Sequence, residues 1–290
     1  MNMFINKMPV AILLGVYNGA LYIEEQINSI LAQSNNKWAL YIRDDASTDT
    51  TLDIIKKYAN DNENIIIIED KEGNLGCNGN YFKLLSLVES NYYMFCNADD
   101  YWFSSKIELT YNRMLSEELK NENAAIIVHT DLSISDKNLN ILSESYWENT
   151  NTDPKNFKTY NKIGICSIVA GATMMFNQRV KNLTFPVSKY APFFDHWMAL
   201  QVVNIGVIAT IYEPTMSYRQ IGTNLAAVTI NNENSFLSKI LSIKKVYTEN
   251  LREAKMLKNI GWGSYVKYIY MKISVLCIIR FGRKYKFVNQ

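Results

Sequence analysis

The chain reads as an α/β protein: a mostly parallel central sheet flanked by helices, followed by a helical C-terminal region. Three observations carry this. Short apolar runs rich in β-branched and aromatic residues recur at regular intervals, as strands covered on both faces do. Helical segments stand between them, the alternation that builds right-handed βαβ units. After Thr223 the pattern changes to long helical runs rich in Lys and Leu.

The expected strands are Val10–Val16, 38–43, 65–69, Tyr92–Cys96 and 125–129. Between them lie expected helices at 21–33, 50–59, 80–89 and 104–119. The second half is less regular. Residues 165–176 read as a strand broken at Gly171, 195–204 as a short helix, and 207–212 as a strand closed by Glu213-Pro214. A boundary near Asn231 divides a domain at 1–230 from a basic helical region at 231–290.

Composition narrows the class. The chain has 290 residues, 48% of them hydrophobic, ample for one large domain with an appendage. Five prolines and the absence of low-complexity tracts argue against disorder. Cys77, Cys96, Cys166 and Cys277 are widely spaced without a CxxC, and His129 and His196 are the only histidines. A structural zinc site is therefore not expected, whereas reduced, buried thiols in a cytoplasmic protein are. No signal peptide is evident, because the apolar run at Val10–Val16 is short and passes into a turn and a helix. Of the 30 Lys and Arg residues, eight lie beyond Ala254, where there is no Asp or Glu. Residues 1–253 then carry 22 bases against 28 acids, a net of −6. An acidic body with a basic tail points to an anionic partner for the tail, and nucleic acid is not expected.

In parallel sheets ligands bind at the carboxyl ends of the strands. There the chain places Tyr17-Asn18-Gly19, Asp44-Asp45-Ala46-Ser47, Asn74-Leu75-Gly76 and Asn97-Ala98-Asp99-Asp100, all polar, small or acidic. Carboxylates ending a buried strand point to a hard cation and the phosphates of a nucleotide. Capping of the helix near Ser104 is the alternative for Asp99 and Asp100. No GxGxxG or GxxxxGK[ST] follows any strand, so a nucleotide here would need a metal for its diphosphate. Asp45 could take the imide hydrogen of uracil or thymine, or serve only as a turn residue before Thr50.

Together these segments resemble the inverting family 2 glycosyltransferases of the GT-A (Rossmann-like) fold, especially their bacterial rhamnosyltransferase-like branch. The matching residues are Val16-Tyr17-Asn18-Gly19, Glu24-Glu25-Gln26-Ile27 and Ile42-Arg43-Asp44-Asp45-Ala46-Ser47-Thr48-Asp49. They continue through Gly73-Asn74-Leu75-Gly76, Asn97-Ala98-Asp99-Asp100-Tyr101-Trp102, Gly171-Ala172-Thr173-Met174, Phe194-Asp195-His196-Trp197 and Tyr218-Arg219-Gln220. The resemblance implies a nucleotide-diphosphate-sugar donor, dTDP-rhamnose or a UDP-hexose. It implies a saccharide acceptor, often on a polyprenyl diphosphate carrier, in cell-surface polysaccharide synthesis. Val16, Tyr17, Asn18, Asp45, Asn80, Asn97, Ala98, Asp99, Gly171, Trp197 and Arg219 are the implied substrate-binding residues. Asp99 with Asn97 is the implied Mn²⁺ or Mg²⁺ site, and Asp195 the implied catalytic base. As an N-cap of its helix, Asp195 would have a merely structural role.

Two departures stand out. Asn97 is a neutral ligand where the family's DxD motif has an acid, and Ile221 stands where many relatives have His. Weaker metal binding, with Arg219 as an added phosphate clamp, is expected. A non-catalytic donor-binding subunit remains an alternative, as does a nucleotidyltransferase. Trp102 and Trp197 are either core aromatics or faces for a sugar ring, and His196 is expected to pack. The basic, aromatic-rich residues 262–287 suit the anionic inner leaflet of the cell membrane, which would make the protein cytoplasmic and peripheral. A helix packed on the catalytic domain, or a homodimer contact, with its lysines merely solvated, is the alternative for that segment.

Overall fold

Strand β1 (Val10–Val16) pairs in parallel with β2 (Trp38–Asp44) on one side and β4 (Tyr92–Cys96) on the other. β2 in turn pairs in parallel with β3 (Ile65–Ile67). Every residue of β1 except Gly15 is buried, as is every residue of β4. That is the burial these near-continuous apolar runs require. The computed structural model from which this follows describes residues 9–221 and 236–281. The boundary near Asn231, together with Arg283, Lys284 and Lys286, lies outside the described residues.

Helices α1 (Ile23–Leu31), α2 (Thr51–Asp61) and α3 (Gly76–Leu87) connect these strands. Beyond β4 come β5 (Tyr101–Trp102), α4 (Lys106–Lys120), β6 (Ile126–Ser135), β7 (Ile141–Ser143), α5 (Tyr146–Thr150) and α6 (Tyr160–Ile163). Then follow β8 (Met174–Asn177), α7 (Gln178–Thr184), α8 (Phe194–Val202) and β9 (Val207–Arg219). The sheet order is β3-β2-β1-β4-β8-β6-β9-β5, with β7 added to β6. β8 runs antiparallel to both neighbours, while β6 and β9 are parallel.

The structure departs from the sequence reading in several places. Residues 165–176 are not one strand. Gly171–Thr173 form a 3₁₀ turn and only Met174–Asn177 join the sheet. A Cβ on Gly171 would meet the Phe194 ring at 2.5 Å, so the backbone there packs against α8 instead of a neighbouring strand. β9 runs past Glu213-Pro214, because register shifts against β6 accommodate the proline where its missing N–H breaks no ladder. Finally, of the four thiols expected to be buried, Cys96 is buried and Cys166 half-buried, but Cys77 and Cys277 are exposed.

The core lies on both faces of the sheet. On one face Ala254, Met256 and Leu257 of α9 (Phe236–Asn259) and Tyr268 and Val275 of α10 (Tyr265–Phe281) join Phe176, Met198 and Trp262 in one cluster. Trp262 donates from its indole to the Tyr160 carbonyl at 3.1 Å. Among the described residues, no helix is long and apolar enough to cross a membrane.

Candidate active site

The parallel pairing of β1, β2 and β4 brings their following loops to one edge of the sheet. The turn after β1 begins at Asn18, whose φ of 50° is one that Asn adopts readily. Its N–H donates to Ser47 Oγ at 2.8 Å, and its Oδ1 accepts from the Thr48 N–H at 2.8 Å. The Gly19 N–H reaches Thr51 Oγ1 at 2.9 Å, and a Cβ there would strike Val16 at 2.7 Å. The first two loops are thus tied together, with Val16 buried and Tyr17 53% exposed.

Asp45 is buried at the end of β2. Its Oδ1 accepts from Arg43 at 2.6 Å and from the Leu75 N–H at 2.8 Å. Its Oδ2 accepts from the Gly76 N–H at 2.8 Å. These amides open α3, so helix and carboxylate complement each other. Arg43 is the hub of this network and was not singled out from sequence. It also bonds Asp70 at 2.7 Å and Asn80 Oδ1 at 3.1 Å. Its guanidinium holds the Asp70 carboxyl below the usual range. Asn80 is buried against Arg43 and supports the site from behind. Arginine after an apolar strand, one residue from two acids, is the signal that could have found this ion cluster.

After β4, Asn97 has both ends of its amide engaged. Oδ1 accepts from Tyr81 Oη at 2.8 Å and Nδ2 donates to Asp100 Oδ2 at 2.8 Å. Asp100 is fully buried, and its Oδ1 has no hydrogen-bond partner among the described residues. Burial and the neighbouring Asp99 push its carboxyl up to about 8. Burial likewise raises Asp99, opposed by its own backbone N–H and the charge of Arg219. Lys106, also fully buried, is brought down to about 7 by desolvation and lies 4.9 Å from the Trp102 ring centre. Two adjacent carboxylates that burial makes reluctant to ionise fit a cation. Among the described residues no three His, Cys, Asp or Glu side chains gather into a metal cage. Asp99 offers a carboxylate oxygen, the donor type that hard cations such as Mg²⁺ and Mn²⁺ take beside phosphates and water.

Arg219, read from sequence as a phosphate clamp, is engaged by protein groups. It is buried, with Nε donating to the Asp99 carbonyl at 3.0 Å and a terminal nitrogen to the Lys137 carbonyl at 2.6 Å. Its other terminal nitrogen pairs with Glu25, and the guanidinium stacks over Tyr22 at 4.5 Å. It holds the backbone of the acidic loop.

Asp195 lies in the first turn of α8, where the N-cap is Phe193. Its Oδ2 accepts from the Gly171 N–H at 2.9 Å and its Oδ1 from the His196 N–H at 2.7 Å. Burial raises its carboxyl against these two donors. Asn78 pins the preceding segment: Nδ2 donates to the Pro192 carbonyl at 2.5 Å and Oδ1 accepts from the Phe194 N–H at 3.1 Å. Next to it Cys77, although exposed as a residue, has its thiol pushed up to about 11 by desolvation and by the charges of Asp195, Asp45 and Asp99. Helix α3 thus contacts all three acidic segments, through Gly76 to Asp45, Asn78 to Phe194 beside Asp195, and Tyr81 to Asn97. The aromatic candidates do not join them. Trp197 is buried with its indole donating to the Thr184 carbonyl at 2.8 Å, and Trp102 is buried in the opposite cluster. Neither ring face is open to a sugar. His196 packs, with Nε2 against the Ile163 carbonyl at 2.8 Å.

The profile of glycosyl transferase family 2 matches residues 11–180, and the chain belongs to that family. It is 35% identical over 102 residues to the putative teichuronic acid biosynthesis glycosyltransferase TuaG of Bacillus subtilis, covering 35% of this chain and 40% of that protein. With the dTDP-rhamnosyl transferase RfbG of Shigella flexneri it shares 34% over 99 residues, covering 33% of this chain and 34% of that protein. With the UDP-Glc:alpha-D-GlcNAc-diphosphoundecaprenol beta-1,3-glucosyltransferase WfaP of Escherichia coli it shares 23% over 252 residues, covering 87% and 86% of the two chains. The chain thus matches two fifths or less of the first two relatives and most of the third. The fold is that of S. aureus TarS (TM-score 0.59, 15% identity, covering 96% of this chain and 93% of that one). The same fold occurs in the mannosyltransferase PcManGT from Pyrobaculum calidifontis, solved with GDP-Man and Mn²⁺ (TM-score 0.57, 16% identity, covering 93% and 69%).

Proposed function

We propose that this chain transfers a sugar from a nucleoside-diphosphate donor to a saccharide acceptor, with inversion, in cell-surface polysaccharide synthesis. The observation that carries this reading is that one helix, α3, ties the three acidic segments together, Gly76 to Asp45, Asn78 to the turn before Asp195 and Tyr81 to Asn97, in a chain of glycosyl transferase family 2. Val16, Tyr17 and Asn18 frame the nucleotide base, and the lone pair left on Asp45 Oδ2 accepts its imide hydrogen. Asp99 is the ligand for Mn²⁺ or Mg²⁺. Asn97, whose amide is committed to Tyr81 and Asp100, contributes at most the second lone pair of its oxygen. When bound, the ion neutralises charge on the leaving diphosphate. Ala98 and Gly171 line the donor site through the acidic loop and the turn that Asp195 holds.

Asp195 accepts the proton of the acceptor hydroxyl as that oxygen bonds to the anomeric carbon and the bond to the diphosphate breaks. Its raised pKa suits a base that must take up a proton, and the Gly171 and His196 N–H groups fix its orientation. The relatives favour a dTDP- or UDP-linked donor. RfbG is by name a dTDP-rhamnosyl transferase, and WfaP acts by name on a diphosphoundecaprenol-linked sugar. A polyprenyl-linked acceptor would place the protein at the inner face of the cell membrane, with residues 1–230 catalytic and 231–290 contacting the lipid surface.

The test is release of nucleoside diphosphate from UDP- and dTDP-sugars, with and without Mn²⁺, on polyprenyl-diphosphate-linked saccharides. Asp195→Asn should lower kcat by about 10²–10⁴-fold while donor binding persists. Turnover of Asp195→Asn at the parent rate would remove the base from the mechanism. A parent that binds donor yet releases no nucleoside diphosphate would favour the non-catalytic reading.

A further inference from the structure

Helix α10 is apolar on the side that faces away from the protein as well as on the side that packs. Inward, Tyr268 and Val275 are buried in the core cluster, with Met271, Ile278 and Ile279 packed against it. Outward, Val266 is 76% exposed, Tyr270 70%, Ile273 58%, Leu276 57% and Phe281 78%. At 3.6 residues per turn these five, with Ile269 and Cys277, fall within one arc of about 140°. A surface helix ordinarily turns charged residues to solvent. Here the only charged side chain in that arc is Arg280. Lys267 and Lys272 are turned back onto the protein, Lys267 to the Trp262 carbonyl at 2.6 Å and Lys272 to Asn250 at 2.6 Å. A contiguous apolar stripe of this kind on a chain surface marks a contact surface.

The charge of the surrounding sequence selects the occupant. From Ala254 to the C-terminus there are eight bases and no acid, whereas residues 1–253 carry a net of −6. A second copy docked through α10 would set two such basic segments side by side. An anionic lipid surface would instead complement them and receive the apolar arc. The helix has 17 residues and no helix among the described residues can span a bilayer, so it would lie in the interface.

We propose that the outward face of α10, centred on Tyr270, Ile273 and Leu276, is a docking surface for anionic lipid headgroups and the upper acyl region. This deepens the membrane arm of the function proposed above. It is read by lipid binding alone, so it stands or falls separately from transfer activity.

The full chain is sedimented with vesicles of phosphatidylcholine, or of phosphatidylcholine with phosphatidylglycerol, at low and high salt. The parent should bind the anionic vesicles, and bind them less at high salt. The triple variant Tyr270→Ser, Ile273→Ser, Leu276→Ser should lose at least about tenfold in partitioning, because three inserted apolar side chains are removed. All three positions are exposed, and far-UV circular dichroism with the thermal midpoint confirms that the variant folds. A negative charge introduced into the apolar arc, Ile273→Asp, should abolish binding in a second independent variant. Light scattering in solution should give a monomer for parent and variants. A parent dimer that the triple variant dissolves would assign the face to a second copy and overturn the proposal. Equal binding of parent and variant, or no vesicle binding under either lipid condition, would overturn it as well.

Discussion

Arg43 is the residue on which the donor end of the site depends, and replacing it gives a sharp test. Its side chain is 2% exposed, as is that of its partner Asp45, while Asp70 on its other side is 15% exposed. Arg43→Met keeps the aliphatic stem but removes contacts to Asp45, Asp70 and Asn80 and to the Glu72 and Gly73 carbonyls. Breaking a buried pair from one side costs about 3–5 kcal/mol, because the remaining charge is left uncompensated. Asp70 can rehydrate, and the Leu75 and Gly76 N–H groups still hold Asp45, so the lower part of that range applies. A loss of about 3 kcal/mol corresponds to a fall of roughly 10 °C in Tm for a domain of this size. Urea unfolding followed by far-UV circular dichroism reads it directly. Adding Asp45→Asn removes the uncompensated charge, so the double variant should be more stable than Arg43→Met alone. The reasoning fails if Arg43→Met costs less than about 1 kcal/mol, or if the double variant shows no recovery.

Two further outcomes follow from the acidic loop. Asn97→Asp restores an acid at the first metal position, yet it replaces the amide that donates to Asp100 with a second carboxylate. The metal-free variant should therefore lose about 2–3 kcal/mol in urea unfolding, and adding Asp100→Asn should recover most of it. Asp100 itself gives a pH signature. Its carboxyl is raised to about 8 when folded, so the stability it contributes is complete below the ordinary carboxylate range and is lost as pH rises through 8. Measured in EDTA from pH 5 to 7.5, the parent should lose stability relative to Asp100→Asn, by at most about 1.4 kcal/mol per pH unit. A difference that does not vary with pH would show that Asp100 keeps one charge state across that range.

How much of this was legible depended on how local the cause is. The runs at Val10–Val16 and Tyr92–Cys96 are apolar throughout because both faces are covered, and each proved a strand with the bounds expected. The helix at Asp195 was found, starting one residue earlier and ending two residues earlier, at Phe194–Val202. The stretch 165–176 was misread because composition reports apolarity and not hydrogen-bond partners. The Gly171 N–H goes to Asp195, a residue 24 positions later. Pro214 looked like the end of a strand, since nothing nearby reveals that a register shift against β6 would absorb it. The partners of Arg219, Glu25, Asp99 and Lys137, lie far away in sequence and are not legible from it. Trp197 carried an aromatic face whose burial no neighbour in the chain discloses.

Hydrophobic periodicity and the ordered acidic segments were enough to establish the α/β class and the family, because these are properties of short stretches of chain. Only folding decided what each carboxylate touches. The α3 amides and Arg43 claim most of Asp45, Asn97 is committed to Tyr81 and Asp100, and Asn78 pins the approach to Asp195. It also exposed the apolar outer face of α10, which the mixed composition of the tail conceals. The physical reason is that a polar group's chemistry is set by its desolvation and its hydrogen-bond partners. Both are supplied by elements distant in sequence and brought close only in three dimensions.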